Sequence, residues 1–331
     1  MPVQQGIDTA AGPNRVDVVR EPVSAAREIA PDLAYLRTSL ANVYLWGRPG
    51  ARDRQWVLID TGMPGSASRI RAAAAARFGP GARPLCIILT HGHFDHVGTV
   101  RELAQGWDVL VYAHALELPY LTGRSCYAPP DPTVGGGAMA MFSFLYPKRP
   151  IDLRGHVTAL PPDGTVPGMP GWRWIHTPGH THGHVSLFHD DDGSLIAGDA
   201  VTTVKQESML AVLSQRPTMH GPPAYFTADW DAAGESVRHL ASLRPELLAT
   251  GHGVPLRGDS MRRSLDMLAH NFDRVAVPDN GRYVHYPAIA DARGVVMLPR
   301  RPFRASTAVW IVGGLLVGGA LLWSRTRSYD D

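Results

Sequence analysis

Residues 90–96 read THGHFDH and begin at the last residue of LCIILT, an uninterrupted apolar run at residues 85–90. An apolar run without alternation is typical of a strand that is buried on both faces of a sheet. In the tight loop that follows, His91 and His93 are two positions apart and can face one point. Asp95 and His96 begin the next helix and can face a second point nearby. We interpret the motif as part of a metal site, in preference to solvated loop histidines.

The segments on either side of this motif alternate between strand and helix patterns. Strand patterns occur at residues 33–37, 42–46, 55–60, 85–90, 108–113, 172–176, 184–189, 194–197 and 247–250, and helix patterns at 66–78, 97–105 and 229–243. Strands that alternate with helices indicate a layered α/β fold.

Three further histidine or aspartate residues stand beside glycines at the ends of predicted strands. His180 follows WRWIH and TPG, Asp199 follows SLIA and glycine, and His252 follows ELLAT and glycine. Sites in layered α/β proteins gather at such strand ends. Imidazole and carboxylate ligands suit zinc, and also iron or manganese. These residues are therefore predicted to complete the site of the THGHFDH loop.

The order His91-x-His93-x-Asp95-His96, then His180, Asp199 and His252, resembles the metallo-β-lactamase superfamily. Asp60-Thr61-Gly62 matches the upstream aspartate motif of that family, and the resemblance covers roughly residues 30 to 260. It implies an α/β fold, a four-layer αββα sandwich, with the metals at one edge between the two sheets.

The resemblance also implies a role for each residue. His91, His93 and His180 would bind the first metal ion, Asp95, His96 and His252 the second, and Asp199 would bridge them, the ions being two Zn²⁺ or else iron or manganese. Asp60 would orient the ligands from behind, because metal-binding imidazoles usually need a partner on their other nitrogen. His184, four positions after His180 as in glyoxalase II-like members, is expected to act in the same way.

The expected chemistry is hydrolysis through a metal-bound hydroxide, with Asp95 as the catalytic residue that orients the nucleophile and passes a proton. By resemblance, the bridging Asp199 disfavours true β-lactamases, and the glyoxalase II and lactonase branch fits best. The predicted function is hydrolysis of an ester, thioester or lactone. The alternatives are a metallo-phosphodiesterase or nuclease of the same fold, a mono-iron persulfide dioxygenase, and a non-catalytic binding protein.

Composition restricts the partners. Across 331 residues, 32 Lys and Arg oppose 30 Asp and Glu, for a formal net charge of +2. This balance offers no electrostatic reason to expect nucleic acid, so a small-molecule substrate is the expected partner. Two cysteines, Cys86 and Cys126, provide neither a disulfide framework nor a CxxC zinc site. The oligomeric state is left open.

The predicted organisation is a loose segment at 1–28, a metallo-β-lactamase-fold domain at 29–260 and a C-terminal extension at 261–304. The extension carries an amphipathic helix with apolar residues at Met261, Leu265, Leu268, Phe272 and Val275. Residues 115–170 are rich in Pro, Gly, Tyr and Phe, which fits a lid-like insertion or a plain surface excursion about equally. Tyr127, Tyr146 and Tyr225 are candidate oxyanion or substrate contacts.

The C-terminus contains a charge-free run, TAVWIVGGLLVGGALLW at residues 307–323, with arginines on both sides. Its length is at the short end of a membrane-spanning helix, and a buried core helix is the alternative. We predict a transmembrane tail anchor at 305–324. More arginines precede the run than follow it, which favours a single-pass membrane protein with a cytoplasmic catalytic domain.

Overall fold

The computed structural model describes residues 7–8 and 26–300. Its strands are β1 (Ile7–Asp8), β2 (Arg27–Ala30), β3 (Leu33–Thr38), β4 (Ala41–Trp46), β5 (Val57–Ile59), β6 (Cys86–Ile88), β7 (Leu110–Ala113), β8 (Val157–Ala159), β9 (Trp172–His176), β10 (Val185–His189), β11 (Ser194–Ile196), β12 (Thr218–Met219), β13 (Leu247–Ala249), β14 (Leu256–Arg257), β15 (Ile289–Asp291) and β16 (Gly294–Met297). Its α-helices are α1 (Ala67–Phe78), α2 (Val100–Trp107), α3 (Leu118–Leu121), α4 (Ala138–Met141), α5 (Met209–Ser214), α6 (Trp230–Ser242), α7 (Gly258–His270) and α8 (Phe272–Val275).

Two large sheets organise these elements. The first sheet contains β2 to β8 in sequence order, with antiparallel pairing as far as β5 and parallel pairing from β5 to β8. The second sheet has the order β14-β13-β11-β10-β9, in which β11 and β13 are parallel. Two small two-stranded pairings, β1 with β12 and β15 with β16, lie outside both sheets.

Alternating side chains explain why the central strands are apolar throughout. In β5, Val57 and Ile59 belong to a core cluster that also contains residues of the second sheet, whereas Leu58 belongs to a cluster with α1 and α2. In β6, Ile88 and Ile87 divide in the same way. Because successive side chains of a strand point to opposite faces, both faces of these strands are covered.

Helices cover the outer faces of the two sheets. Ile70 of α1 and Leu103 of α2 pack in the cluster on the first sheet. Val237 of α6 and Leu265 of α7 pack with Leu248 of β13 in the cluster on the second sheet. The layers are therefore helix, sheet, sheet and helix, the αββα arrangement expected from the resemblance.

Local signals set the ends of the main helices. Asp229 accepts a hydrogen bond from the backbone N–H of Ala232 (3.0 Å) and so caps the start of α6. Gly79 ends α1 with a φ of +102°, a conformation that glycine adopts without steric cost.

The segment 115–170 is only partly irregular. It contains α3, α4 and β8, and β8 forms the parallel edge strand beside β7. Leu121 and Leu153 lie in the cluster on the outer face of the first sheet. The boundary predicted at 260–261 falls inside α7, and α7 packs directly on the second sheet.

Two predictions, a transmembrane helix as part of the fold and a membrane location, are wrong. Within residues 7–8 and 26–300, no helix is both long and apolar enough to cross a membrane. The longest helices there, α6 and α7, have 13 residues each. At 1.5 Å per residue they span about 20 Å, less than a bilayer core of about 30 Å. The segment 305–324 itself lies outside the described residues.

Candidate metal centre

The structure brings together the seven residues predicted as metal ligands. They form three groups whose nitrogen or oxygen atoms lie within 4.8 Å of one another: His91, His93 and His180; His91, His96 and Asp199; and Asp95, His96 and His252. Every member is buried. The loops after β6, β9, β11 and β13 carry them, so the cluster lies where strand ends of both sheets meet.

Several polar atoms that face the centre of the cluster have no partner in the protein. His91 Nε2, His96 Nε2 and Asp199 Oδ1 are buried, and no hydrogen-bond partner for them occurs in the part of the chain that the structure describes. Buried polar atoms are normally paired, since an unpaired one costs about 1–3 kcal/mol. Converging lone pairs of imidazole and carboxylate are the arrangement that a divalent cation requires.

Asp199 lies between the two predicted ligand sets. Its Oδ2 is 3.4 Å from His180 Nε2, and its Oδ1 is 3.5 Å from His96 Nε2. The same Oδ2 is 3.1 Å from His252 Nε2, and Asp95 Oδ2 is 3.5 Å from that nitrogen. One carboxylate therefore touches members of both sets.

The protonation of the histidines fits ligand binding. Burial lowers the pKa of His93 to about 3 and holds the pKa values of His91 and His180 well below the usual value. These imidazoles are neutral and keep a lone pair for a cation. For His96, burial also acts to lower the pKa, but Asp199 and Asp60 outweigh it and raise the pKa. A proton and a cation compete for the same nitrogen there.

A family model for the metallo-beta-lactamase superfamily matches residues 37–252. The probable metallo-hydrolase YflN of Bacillus subtilis is 49% identical to this chain over 251 residues, which cover 76% of this chain and 95% of that protein.

The chain belongs to the metallo-beta-lactamase superfamily. Hydroxyacylglutathione hydrolase of Xanthomonas campestris is 29% identical over 224 residues, covering 67% of this chain and 66% of that protein. Among solved structures, a beta-lactamase domain protein from Burkholderia ambifaria superimposes with a TM-score of 0.52 at 22% identity. That match covers 78% of this chain and 75% of the other, and it shows a shared fold.

As a superfamily member with relatives named metallo-hydrolases, the chain is a metal-dependent hydrolase. The buried histidine and aspartate cluster, together with the superfamily fold, implies divalent metal ions at this position. The superfamily predicted from the sequence motifs is thereby confirmed.

Asp60 holds the superfamily's histidine loop from behind. Its Oδ1 accepts a hydrogen bond from Thr90 N (2.8 Å), and its Oδ2 accepts from Thr90 Oγ1 and His96 Nδ1 (both 2.8 Å). The bond to Nδ1 directs Nε2 of His96 toward the cluster. Asp60 has a left-handed φ of +58°, a strained conformation that such a network of bonds can hold in place.

His184 supports the backbone of Asp199. Its Nε2 accepts a hydrogen bond from Asp199 N (2.9 Å), and its Nδ1 lies 2.8 Å from Thr177 Oγ1. A side chain on Gly198 would come within 2.6 Å of His184 Nε2, so the glycine permits this approach. The ring of His252 is oriented in a similar way, because its Nδ1 lies 2.9 Å from the backbone carbonyl of Leu40.

Glu117 is a site residue that the sequence analysis did not identify. Its fully buried carboxylate accepts hydrogen bonds from Gly92 N (3.0 Å) in the first ligand loop and from Thr181 Oγ1 (2.7 Å) and Gly183 N (3.0 Å) in the second. Tyr127 donates a further, short hydrogen bond. Burial raises the pKa of Glu117, although these four bonds act in the opposite direction. The carboxylate thus ties together the two loops that carry His93 and His180.

A signal for Glu117 was present in the sequence. It follows β7 in the stretch HALE, and the ligands also stand just beyond strand ends. Without a matching motif, a single acidic residue there reads as an exposed side chain.

Of the three tyrosines predicted as oxyanion or substrate contacts, Tyr127 lies beside His93, whereas Tyr146 and Tyr225 lie against each other. The ring of Tyr127 is 4.7 Å from that of His93. Tyr146 donates a hydrogen bond to the carbonyl of Met139 (3.0 Å), which engages its hydroxyl away from the cluster. Tyr225 is buried against Tyr146, with ring centres 5.6 Å apart.

Proposed function

We propose that the chain is a dinuclear zinc hydrolase that acts on a small ester, thioester or lactone. The observation that carries the proposal is the position of Asp199, whose two carboxylate oxygens contact His180 on one side and His96 and His252 on the other. A carboxylate placed between two sets of buried donors is suited to bridge a pair of cations.

The donors divide between the two ions as the motif spacing suggests. His91, His93 and His180 would hold one ion, and Asp95, His96 and His252 the other. Two bound cations would lower the pKa of a water molecule toward neutrality and polarise a carbonyl oxygen.

The chain's own residues supply orientation and proton transfer. Asp60 and the carbonyl of Leu40 direct His96 and His252 toward the cluster. Asp95 lies within the cluster of ligands, with its Oδ2 3.5 Å from His252 Nε2. A carboxylate at this position can accept a proton from the attacking nucleophile and deliver it to the leaving group.

Support for the substrate class comes from the relatives and from the ligand set. The relatives in Xanthomonas campestris are named hydroxyacylglutathione hydrolases, and a hydroxyacylglutathione is a thioester. The bridging aspartate disfavours β-lactam substrates by resemblance. No partner beyond a small-molecule substrate is proposed.

The test combines elemental analysis of the purified full-length chain with a panel of thioesters, lactones, carboxyl esters, phosphodiesters and β-lactams. We expect about two zinc ions per chain and turnover of thioesters, esters or lactones. Faster turnover of bis(p-nitrophenyl) phosphate would instead assign a phosphodiesterase. One iron per chain with oxygen uptake would assign a dioxygenase. A chain that retains no metal would remove the enzymatic proposal.

A further inference from the structure

The turn that carries His252 is held by a residue of the other large sheet. The side-chain amide of Asn42 donates hydrogen bonds to the carbonyls of Thr250 (2.9 Å) and Gly253 (2.7 Å). The backbone N–H of Asn42 also donates to the carbonyl of Gly251 (2.8 Å). Asn42 lies in β4 of the first sheet, whereas the turn follows β13 of the second. One residue thus engages three carbonyls of the turn at 250–253.

The orientation of the Asn42 amide follows from its surroundings. Its nitrogen has one hydrogen for each of the two carbonyl oxygens, whereas the opposite orientation would set Oδ1 against both of them. Oδ1 itself is buried and has no hydrogen-bond partner within residues 7–8 and 26–300. An unpaired buried acceptor costs free energy that an apolar side chain of similar size would avoid. The contribution of the amide at this position is therefore its two donors.

The turn at 250–253 lies directly against the metal centre. The backbone N–H of Gly251 donates to the carbonyl of Gly198 (2.7 Å), the residue before Asp199. A side chain on Gly251 would collide with Asp199 Oδ1, so the two segments are in close contact. A shift of the turn would move His252 relative to Asp199, and ligand geometry has to be held to within about 0.5 Å.

The same strand hairpin also orients the ring of His252. Leu40 stands between β3 and β4, two positions before Asn42, and its carbonyl lies 2.9 Å from His252 Nδ1. That contact leaves Nε2 facing the cluster, where it lies 3.1 Å from Asp199 Oδ2. Because Leu40 and Asn42 belong to one short stretch of chain, the amide keeps the turn in register with the carbonyl that orients the ring.

We infer that Asn42 is a positioning residue for His252, so that loss of its amide weakens the second metal ion and leaves the first in place. The second ion is the one assigned above to Asp95, His96 and His252, and the first is the one assigned to His91, His93 and His180. The inference rests on the proposed function, which requires two ions. Its basis is that Asn42 holds the turn of His252 and, within the described chain, makes no hydrogen bond to the loops of the first set.

The test measures metal affinity, so that it does not depend on turnover. Zinc is titrated stepwise into the metal-free full-length chain in competition with a chromogenic chelator. Asn42→Leu removes both donors at similar volume, and we expect Kd for the second ion to rise about 10–100-fold while Kd for the first changes less than about twofold. A general loss of structure would instead weaken both ions. Asn42→Ala, which leaves room for water against the two carbonyls, serves if Asn42→Leu does not fold.

Two single-site backgrounds assign the titration steps to the two ions. His93→Ala removes a ligand of the first ion, and His252→Ala removes a ligand of the second. Adding Asn42→Leu should lower zinc affinity about 10–100-fold in the His93→Ala chain and less than about twofold in the His252→Ala chain. If a background retains no zinc, the stepwise titration of the otherwise unchanged chain carries the comparison.

Two control variants separate the amide from other hydrogen bonds. Asn271→Leu makes the same chemical change where the amide donates to the carbonyl of Met267 in α7, and it should change neither Kd by more than about twofold. Tyr44→Phe removes a second donor to the carbonyl of Thr250 (2.6 Å). Its effect should be smaller than that of Asn42→Leu, because the amide of Asn42 remains. Thermal unfolding of the metal-free chains checks that each variant folds.

The outcomes separate this inference from the proposed function. Equal weakening of both ions, no weakening of either, or an equal effect of Asn42→Leu in the two single-site backgrounds would overturn the role of Asn42. If Asn42→Leu weakens the second ion alone but esters, thioesters and lactones are all left intact, the proposed function fails and the positioning role stands. If these substrates are hydrolysed and Asn42→Leu behaves like Asn271→Leu, the function stands and the positioning role fails. A native chain that binds a single zinc ion would overturn both.

Discussion

The metal centre and the cleft lined by His93, Tyr127, Phe226 and Val295 meet at His93 but are built in different ways. The donors of the centre come from loops at the strand ends of the two large sheets, and all of them are buried. The cleft wall combines the segment after β7, the loop before α6 and a hairpin beyond the family match. The comparison indicates that the ligands come from the shared core of the fold, whereas the wall of the neighbouring cleft also includes a segment beyond the family match.

The strongest test of this division is the substitution Asp199→Asn. Loss of the carboxylate between the two ligand sets should remove at least one metal ion per chain. Transition-state stabilisation of several kcal/mol would be lost with it, and hydrolysis should fall by about three powers of ten. Metal content and kcat on the best ester or thioester measure the effect.

Asp192→Asn is the matched control, because Asp192 pairs with His189 outside the metal centre. We expect unchanged metal content and less than about a twofold change in kcat for this surface substitution. If Asp199→Asn kept two metal ions and full activity, the centre would not depend on a bridging carboxylate.

The second prediction concerns a residue that orients ligands without belonging to either set. Asp60→Asn should weaken the hydrogen bonds to His96 and to Thr90 and reduce metal affinity by roughly 10–100-fold. Competition with a chromogenic chelator measures this affinity. Asp53→Asn, which removes only an exposed ion pair with Arg83, should leave it unchanged. Equal affinities in the two variants would contradict a positioning role for Asp60.

The third prediction concerns Glu117, at the junction of the two regions. Glu117→Gln places an NH₂ group against two of the four donors, so the free energy of unfolding should fall by about 1–3 kcal/mol. Urea unfolding of the metal-free chain measures this cost, and metal titration shows whether the His93 and His180 loops separate. Glu102→Gln on the exposed face of α2 is the control. A cost no larger than that of the control would show that the carboxylate does not hold the loops.

The smallest effect is expected from the cysteines, one in each region. Burial raises the pKa of Cys86, which lies between the sheets, to about 12, so at pH 8 it remains an unreactive thiol. Cys126 is exposed beside Tyr127 of the cleft. N-ethylmaleimide should therefore label one thiol in the folded chain and two after denaturation, as counted by mass spectrometry. Labelling of Cys86 in the native state would show that the core between the sheets opens readily.

The residues predicted for the metal centre lie together in the structure, and the reason that sequence could place them is physical. Ligands need particular side chains at particular spacings, and His91 and His93 are close in the chain as well as in space. His180, Asp199 and His252 are distant in sequence, yet each stands beside a glycine at a strand end, where the site was expected. Asp60 and His184 were predicted as supporting residues from the resemblance, and the structure places both against ligands.

The cleft has no comparable signal. Val295, Phe226 and Tyr120 are apolar or aromatic residues whose neighbours in the chain do not distinguish them from ordinary core residues. Segment 115–170 was predicted to be a lid-like insertion or a surface excursion, and Tyr127, one of the candidate substrate contacts, does line the cleft. The hairpin contribution was not expected, because a short apolar strand shows nothing of where it will pack.

The amino-acid sequence by itself determined the superfamily, the layered α/β fold and the donor atoms, since these depend on residue type, spacing and local hydropathy. Only the tertiary structure decided that Asp199 lies between the two ligand sets, that Glu117 joins two ligand loops and that Val295 lines a cleft beside His93 and His180. The reason is that these contacts connect residues far apart in the chain, and their geometry arises only when the sheets and the hairpin pack together.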